Sequence, residues 1–265
     1  ESMGVRRGVR FASRWLPGAS GPRAAIMLKD LKVFVREPAQ WGQVLLLSSL
    51  ILIYVFNISV VPTQITRDLR SLLFFLNLGF IGMILTAVAA RFLFPQVSLE
   101  GATFAVLRAS PLDMRGYLAA RWLAGIVPLL VLGGCLVGFT VPLLGVDRYM
   151  AWSATVSLLG MALCVSALAA GCGAVFAKFT VSNPEEIVTS FGGFTFMTAS
   201  LAAVSSIILL QAQPVRLHYY AALFRRPPPS AWWTVGAWVA VAALSAGCVL
   251  ASLRVGARSL VRKEI

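Results

Sequence analysis

Six apolar stretches of roughly 20 residues each most constrain how this chain can fold. A stretch of that length crosses the hydrocarbon core of a bilayer as one α-helix, which pairs its own backbone polar groups. The chain is 58% hydrophobic and 12% charged, which leaves too little polar surface for a soluble domain of 265 residues. The sequence therefore predicts an all-α integral membrane protein with six transmembrane helices. The predicted spans are Trp41–Val61, Ser71–Phe92, Arg121–Leu144, Met150–Phe176, Phe191–Gln211 and Trp232–Leu253.

Positive charge is distributed unevenly between the two sides of these spans. Of the 23 Lys and Arg residues, 17 lie on the side of both chain ends and 6 lie on the other side. Because Lys and Arg accumulate in cytoplasmic loops, both ends are predicted to be cytoplasmic. The same bias accounts for the net charge of +13, so no nucleic-acid partner is predicted.

The region before the first span has two parts. Residues 1–23 are basic and rich in Gly and Ser, which predicts a cytoplasmic arm. Residues 24–40 place apolar residues on one broad face, which predicts an amphipathic helix on the membrane surface that ends at Pro38. The predicted domains are the arm 1–23, the amphipathic helix 24–40, the transmembrane domain 41–253 and a basic cytoplasmic tail 254–265.

The loop between the second and third predicted spans carries helix signals. Ser98 is predicted to cap the first turn of a short helix, Glu100 lies in that turn, and Ser110 with Pro111 ends the helix. We expect a rigid helix on the cytoplasmic side.

A second cytoplasmic stretch begins at Asn183. Asn183 and Pro184 form a turn, and Glu185 and Glu186 fall in the first turn of the following helix, where the helix dipole favours negative charge. Two interpretations stay open: this is a capped helix start with no further role, or it is a second contact for a cytoplasmic partner.

The sequence contains no recognisable motif for catalysis or metal binding. It lacks the phosphate loop GxxxxGK[ST], the HExxH pair and the GxSxG elbow, and its four cysteines lie in apolar stretches without the spacing of a metal site. None of its ten acidic residues lies at the centre of a span, where an ion-coupled transporter needs one. We therefore predict that the chain is not itself an enzyme, holds no cofactor or metal, and receives energy from outside the bilayer.

Four stretches together resemble the ATP-binding-cassette exporter permeases of bacteria. The resemblance covers Met27–Gly193 well and depends on hydropathy beyond it. It implies a multi-pass permease of the type-2 exporter class in the bacterial inner membrane, and it implies that this chain corresponds to the carboxy-terminal half of a longer permease. The four stretches are KDLKxFxREPxQW at Lys29–Trp41, FPxVSLEG at Phe94–Gly101, LRASPL at Leu107–Leu112 and NPEEIxTSFGG at Asn183–Gly193.

The resemblance also implies local features and partners. A connecting helix would lie at 24–37, a cytoplasmic coupling helix at 98–109 and short re-entrant helices at 217–224, although re-entry of the loop 213–231 stays open. A separate ATP-binding subunit would hold ATP and Mg²⁺, and a second permease half or another copy of the chain would complete the transporter. The residues predicted to bind the ATP-binding subunit are Ser98, Glu100 and Arg108 as polar contacts and Phe104 and Leu107 as apolar anchors.

Other functions also fit the sequence. The chain could be a non-transporting scaffold of a larger membrane complex, with its basic arm on anionic lipid. An intramembrane enzyme is disfavoured by the missing catalytic residues. For an exporter, the sequence predicts a hydrophobic or amphipathic substrate, and the small residues of the spans serve helix packing or line its path.

Overall fold

Long α-helices make up the described part of the chain. The structure is a computed structural model that describes residues 48–49, 51–56, 58–60, 67–101, 104, 113–179, 183–224 and 231–262. Residues 48–59 are helical where described, and no strand occurs among the described residues. The later helices are α1 (Arg67–Phe92), α2 (Met114–Leu144), α3 (Arg148–Val175), α4 (Pro184–Val188), α5 (Phe191–Leu223) and α6 (Ala231–Arg262), with a 3-10 helix at Phe94–Glu100 between α1 and α2.

Within the described residues, five stretches are long and apolar enough to cross a membrane. They are Leu73–Glu100, Met114–Leu144, Arg148–Val175, Phe191–His218 and Trp232–Arg262. This confirms the predicted all-α membrane fold. The predicted arm 1–23 and amphipathic helix 24–40 lie outside the described residues, as does part of the predicted span Trp41–Val61.

Helix α3 is the central helix of the bundle. In the most apolar part of α3, 72% of the residues are buried inside the bundle. The corresponding share is 28% for α2 and α5 and 11% for α6. Small residues let neighbours approach α3: a Cβ at Gly160 would lie 2.8 Å from Val241, and one at Gly171 would lie 2.6 Å from the carbonyl oxygen of Ser252. Close packing explains these glycines. It does not explain four other helical glycines, which have no described atom within 4 Å of such a Cβ: Gly134, Gly138, Gly236 and Gly247.

Two helices extend well beyond the predicted spans. Helix α2 begins at Met114, not at Arg121, because the Asp113 side chain accepts a hydrogen bond from the backbone N–H of Arg115 at 3.2 Å and caps the helix. Helix α6 continues to Arg262, so most of the predicted tail 254–265 belongs to the last helix. The division of the chain into domains stays a prediction.

The segment Leu217–Phe224 does not form a separate re-entrant helix. It continues α5, which passes through Pro214 and ends at Leu223. The extension is held against α3, because Val215 is fully buried and the ring of His218 stacks on Tyr149 at 4.3 Å. The predicted short helix before the last span is therefore wrong for these residues, while 225–230 lie outside the described part.

Candidate functional site

The chain turns between α1 and α2 through the 3-10 helix Phe94–Glu100, which we call the elbow. Pro95 lies in its first turn, where the missing N–H leaves no hydrogen bond unmade, and Gly101 ends it at a φ of +48° that favours glycine. Ser98 is inside this helix, so the prediction that it caps a coupling helix is wrong. Its Oγ instead accepts a hydrogen bond from the backbone N–H of Lys178 at 3.2 Å.

A buried ion pair joins the elbow to α2. Arg121 Nη2 donates to Glu100 Oε1, and the side chains of Arg121 and Glu100 are only 4% and 2% exposed. Arg121 Nε also donates to the Tyr117 hydroxyl at 3.3 Å, and Nη1 donates to Gln96 Oε1 at 3.5 Å. A buried ion pair persists only when its polar atoms are well paired. One guanidinium therefore ties two side chains of the elbow to the start of α2.

Aromatic stacks and a close backbone approach hold the elbow, and the chain just after it, against two further helices. Phe94 stacks on Phe196 of α5 at 5.4 Å between ring centroids. Phe104 is fully buried and stacks on Phe179, just beyond the end of α3, at 4.6 Å. Gly173 of α3 permits the close approach, because a Cβ there would lie 2.6 Å from the Phe94 carbonyl oxygen. The elbow is thus held by α2, α3 and α5 together.

The second predicted stretch lies beside the elbow. Helix α4 begins at Pro184, and Asn183 caps it by accepting a hydrogen bond from the backbone N–H of Glu185 at 3.1 Å. Glu185 and Glu186 occupy its first turn, which confirms that part of the prediction. Ile187 is buried, and α4 contacts the elbow directly. The two cytoplasmic stretches predicted from sequence therefore meet in the structure.

The structure separates the predicted contact residues into three groups. Ser98, Glu100 and Phe104 are buried within the chain, and Leu107 and Arg108 lie outside the described residues. The accessible residues of the elbow and α4, which we call the coupling face, are Leu99, Asn183, Glu185 and Glu186. Partner binding by the predicted residues, which include Pro184, stays a prediction, and Leu99 is not one of them.

Sequence reasoning missed the partners of Glu100. From sequence alone, Arg121 counts only as a positive charge at the start of the third predicted span, and Tyr117 has no assigned role. One signal was available: Glu100 is the only acidic residue between Asp68 and Asp113, and Arg121 opens an apolar stretch. A charge at the edge of an apolar helix usually has a partner of opposite sign.

This arrangement can transmit displacement between helices. The ion pair, the aromatic stacks and the close approach at Gly173 link the elbow to several helices at once. Among the described residues, no group of three or more His, Cys, Asp or Glu side chains could hold a metal ion.

The family described as "Putative ATP-binding cassette" matches residues 6–265. The chain belongs to this family. It is therefore an ATP-binding-cassette membrane protein, and the comparison supports a component of an ATP-binding-cassette transporter. No curated protein and no solved structure matches the chain.

The family assignment corrects one prediction. We expected the chain not to be an enzyme and to depend on a separate subunit for ATP hydrolysis. The matching family is described as an ATP-binding cassette and covers nearly the whole chain, so this expectation is wrong. The sequence contains no GxxxxGK[ST] motif, so the family match alone carries the correction.

Proposed function

We propose that this chain forms the membrane-spanning permease of an ATP-driven exporter, and that its coupling face receives the motion produced by nucleotide hydrolysis. The buried Glu100–Arg121 pair is the observation that carries the proposal, because it makes the elbow a rigid part of the bundle. A force applied to α4 or the elbow would then displace α2 and α3 together instead of bending a loop.

The distribution of charge supports a cytoplasmic position for the coupling face. Gly256 of α6 packs against Leu118 of α2, so the carboxy-terminal end of α6 lies at the same end of the bundle as the elbow. That end carries exposed Arg254, Arg258 and Arg262. Basic residues at one end of a bundle favour its placement on the cytoplasmic side, here of a bacterial inner membrane.

The exporter would contain a second permease half beside this one. Alternating separation of the two halves would open a path for a hydrophobic or amphipathic molecule. The buried polar groups of the spans are neutral amides and hydroxyls, for example Asn77 and Thr140, which both pair with the Tyr54 hydroxyl. Neutral groups of this kind suit an amphipathic substrate better than an ion.

Charge reversal on the coupling face tests the proposal. The double variant Glu185→Lys/Glu186→Lys should lower ATP hydrolysis by the intact transporter in lipid nanodiscs about tenfold, because both side chains are exposed and the substitutions reverse the charge of the coupling face. Asp147→Lys is the matched control, since Asp147 is exposed at the opposite end of the bundle and should leave the rate unchanged. Equal rates in all three proteins would refute the coupling face.

Arg108→Glu tests the predicted polar contact outside the described residues. We expect it to lower transport-coupled ATP hydrolysis while the protein still inserts into membranes, as measured by its yield in the washed membrane fraction. Unchanged hydrolysis would remove Arg108 from the coupling contact.

A further inference from the structure

Helices α3 and α5 pack face to face in the half of the bundle away from the elbow. A Cβ at Gly160 would lie 3.4 Å from Ile207, and the Tyr149 ring stacks on His218 at 4.3 Å. These two contacts fix an antiparallel register. Positions 207, 211 and 218 are four and seven residues apart and lie on one helix face, so Gln211 faces α3 between these contacts. By helix rise it lies about 12 Å from the start of α3.

The side-chain amide of Gln211 lacks hydrogen-bond partners in the described part of the chain. Gln211 and Ser153 are each 1% exposed. Within the described residues, neither amide atom of Gln211 has a partner. The Ser153 Oγ and the Tyr149 hydroxyl interact with each other, although no described partner of either atom lies within 3.5 Å. A carboxamide without a partner is strongly disfavoured in hydrocarbon, so a leucine would serve packing better.

Most other buried hydroxyls in the described part of the bundle are paired, with the Ser200 Oγ as an exception. Thr86, Ser157 and Ser166 each donate to a backbone carbonyl one turn earlier, at 2.9, 2.8 and 2.6 Å. The fold therefore satisfies buried hydroxyl groups as a rule. The amide of Gln211 has no partner at all among the described residues, and Ser153 lies on the facing helix. A buried amide left without a partner is typical of a polar group kept for a ligand.

We propose that Gln211 and Ser153 form a binding site inside the bilayer for a neutral polar group of the transported molecule. This inference rests on the proposed function only in taking the ligand to be transported. A carboxamide offers two donors and one acceptor oxygen, so the fitting group both donates and accepts, as a primary amide or a hydroxyl does. Residues 149–160 and 204–214 contain no charged side chain, so the site does not suit an ion.

Decanamide is a suitable probe because it carries one primary amide on an apolar tail. Its binding to the full chain in phosphatidylcholine nanodiscs is measured from the concentration dependence of the unfolding temperature. We expect decanamide to raise this temperature more than N,N-dimethyldecanamide, which lacks the N–H donors, and more than decane. Gln211→Leu should bind decanamide about tenfold more weakly, as expected for the loss of a buried hydrogen-bonding group.

Gln213→Leu is the matched control, because Gln213 is exposed on the same helix. It should bind decanamide as the unmodified chain does. Without decanamide, Gln211→Leu should unfold at the same or a higher temperature. A lower temperature would show that the amide is already paired within the fold, and equal decanamide binding by all three proteins would show that Gln211 does not contact it; either result overturns the site.

The binding assay uses no nucleotide, so it separates the two proposals. Loss of decanamide binding in Gln211→Leu with no effect of Glu185→Lys/Glu186→Lys on ATP hydrolysis would keep the site and refute the coupling face. The reverse pair of results would refute the site and keep the coupling face.

Discussion

Breaking the Glu100–Arg121 pair should destabilise the bundle far more than removing an exposed charge. Both side chains are at most 4% exposed, so either one alone would keep a charge away from water. Removing one partner of a buried pair typically costs about 3–5 kcal/mol. Glu100→Gln should lower the free energy of unfolding by about 3 kcal/mol, at the lower end of this range. The guanidinium keeps Tyr117 and Gln96 as acceptors, and the new amide oxygen can still accept a hydrogen bond from it.

The double variant separates the energy of the Glu100–Arg121 interaction from the cost of each substitution by itself. Arg121→Met removes the guanidinium and leaves the Glu100 carboxylate without that donor, at a cost of about 3–5 kcal/mol. In Glu100→Gln/Arg121→Met no charge of the pair remains, so the double variant should be more stable than the sum of the single costs predicts. We expect a coupling energy of at least about 1.5 kcal/mol.

The assay measures the free energy of unfolding of the full chain in mixed micelles. Unfolding is followed by tryptophan fluorescence while sodium dodecyl sulfate is added. Arg115→Met is the matched control, since Arg115 is an exposed arginine on the same helix and its loss should change stability by about 0.5 kcal/mol or less. Additive effects of the two single variants would refute the reasoning, because they would mean that Glu100 and Arg121 do not stabilise each other.

Two further stability predictions use the same titration. Gly173→Ala should cost about 1–3 kcal/mol, because its Cβ would lie 2.6 Å from the Phe94 carbonyl oxygen, whereas Gly236→Ala has no described atom within 4 Å and should be neutral or stabilising. Tyr54→Phe should cost about 1 kcal/mol, because the buried Tyr54 hydroxyl donates to Asn77 Oδ1 and hydrogen bonds between membrane helices are worth about that much. An unchanged free energy of unfolding in Gly173→Ala or in Tyr54→Phe would contradict the corresponding contact.

The spans could be predicted from sequence because the hydrocarbon core sets a minimum apolar length. Their ends could not, because helices continue into the interface wherever a cap or a tertiary contact supports them. Asp113 caps α2 two turns before the predicted start. The fifth predicted span ends at Gln211, but α5 continues through Pro214, and the buried Val215 and the stacking of His218 on Tyr149 support this extension.

The candidate site was predicted in part. Local signals located two stretches that meet in the structure, and the cap at Asn183 followed the expected chemistry. Ser98 was misassigned because Pro95 lies in the first turn of an earlier and tighter helix, which moves Ser98 into the interior. The Glu100–Arg121 pair joins residues 21 positions apart across a turn, and only the tertiary fold shows which charges meet.

Helix α3 connects the elbow to the proposed polar site, and Pro214 indicates where α5 yields when α3 moves. α3 contains no proline over its 28 residues, so its backbone hydrogen bonds are continuous from Tyr149 to Gly173. α5 contains Pro214, which cannot donate to the carbonyl of residue 210 and weakens the helix within one turn of Gln211. A displacement of the elbow would therefore pass along α3 as a rigid body, and the α3–α5 contact would open where α5 is weakest, at the level of the unpaired amide.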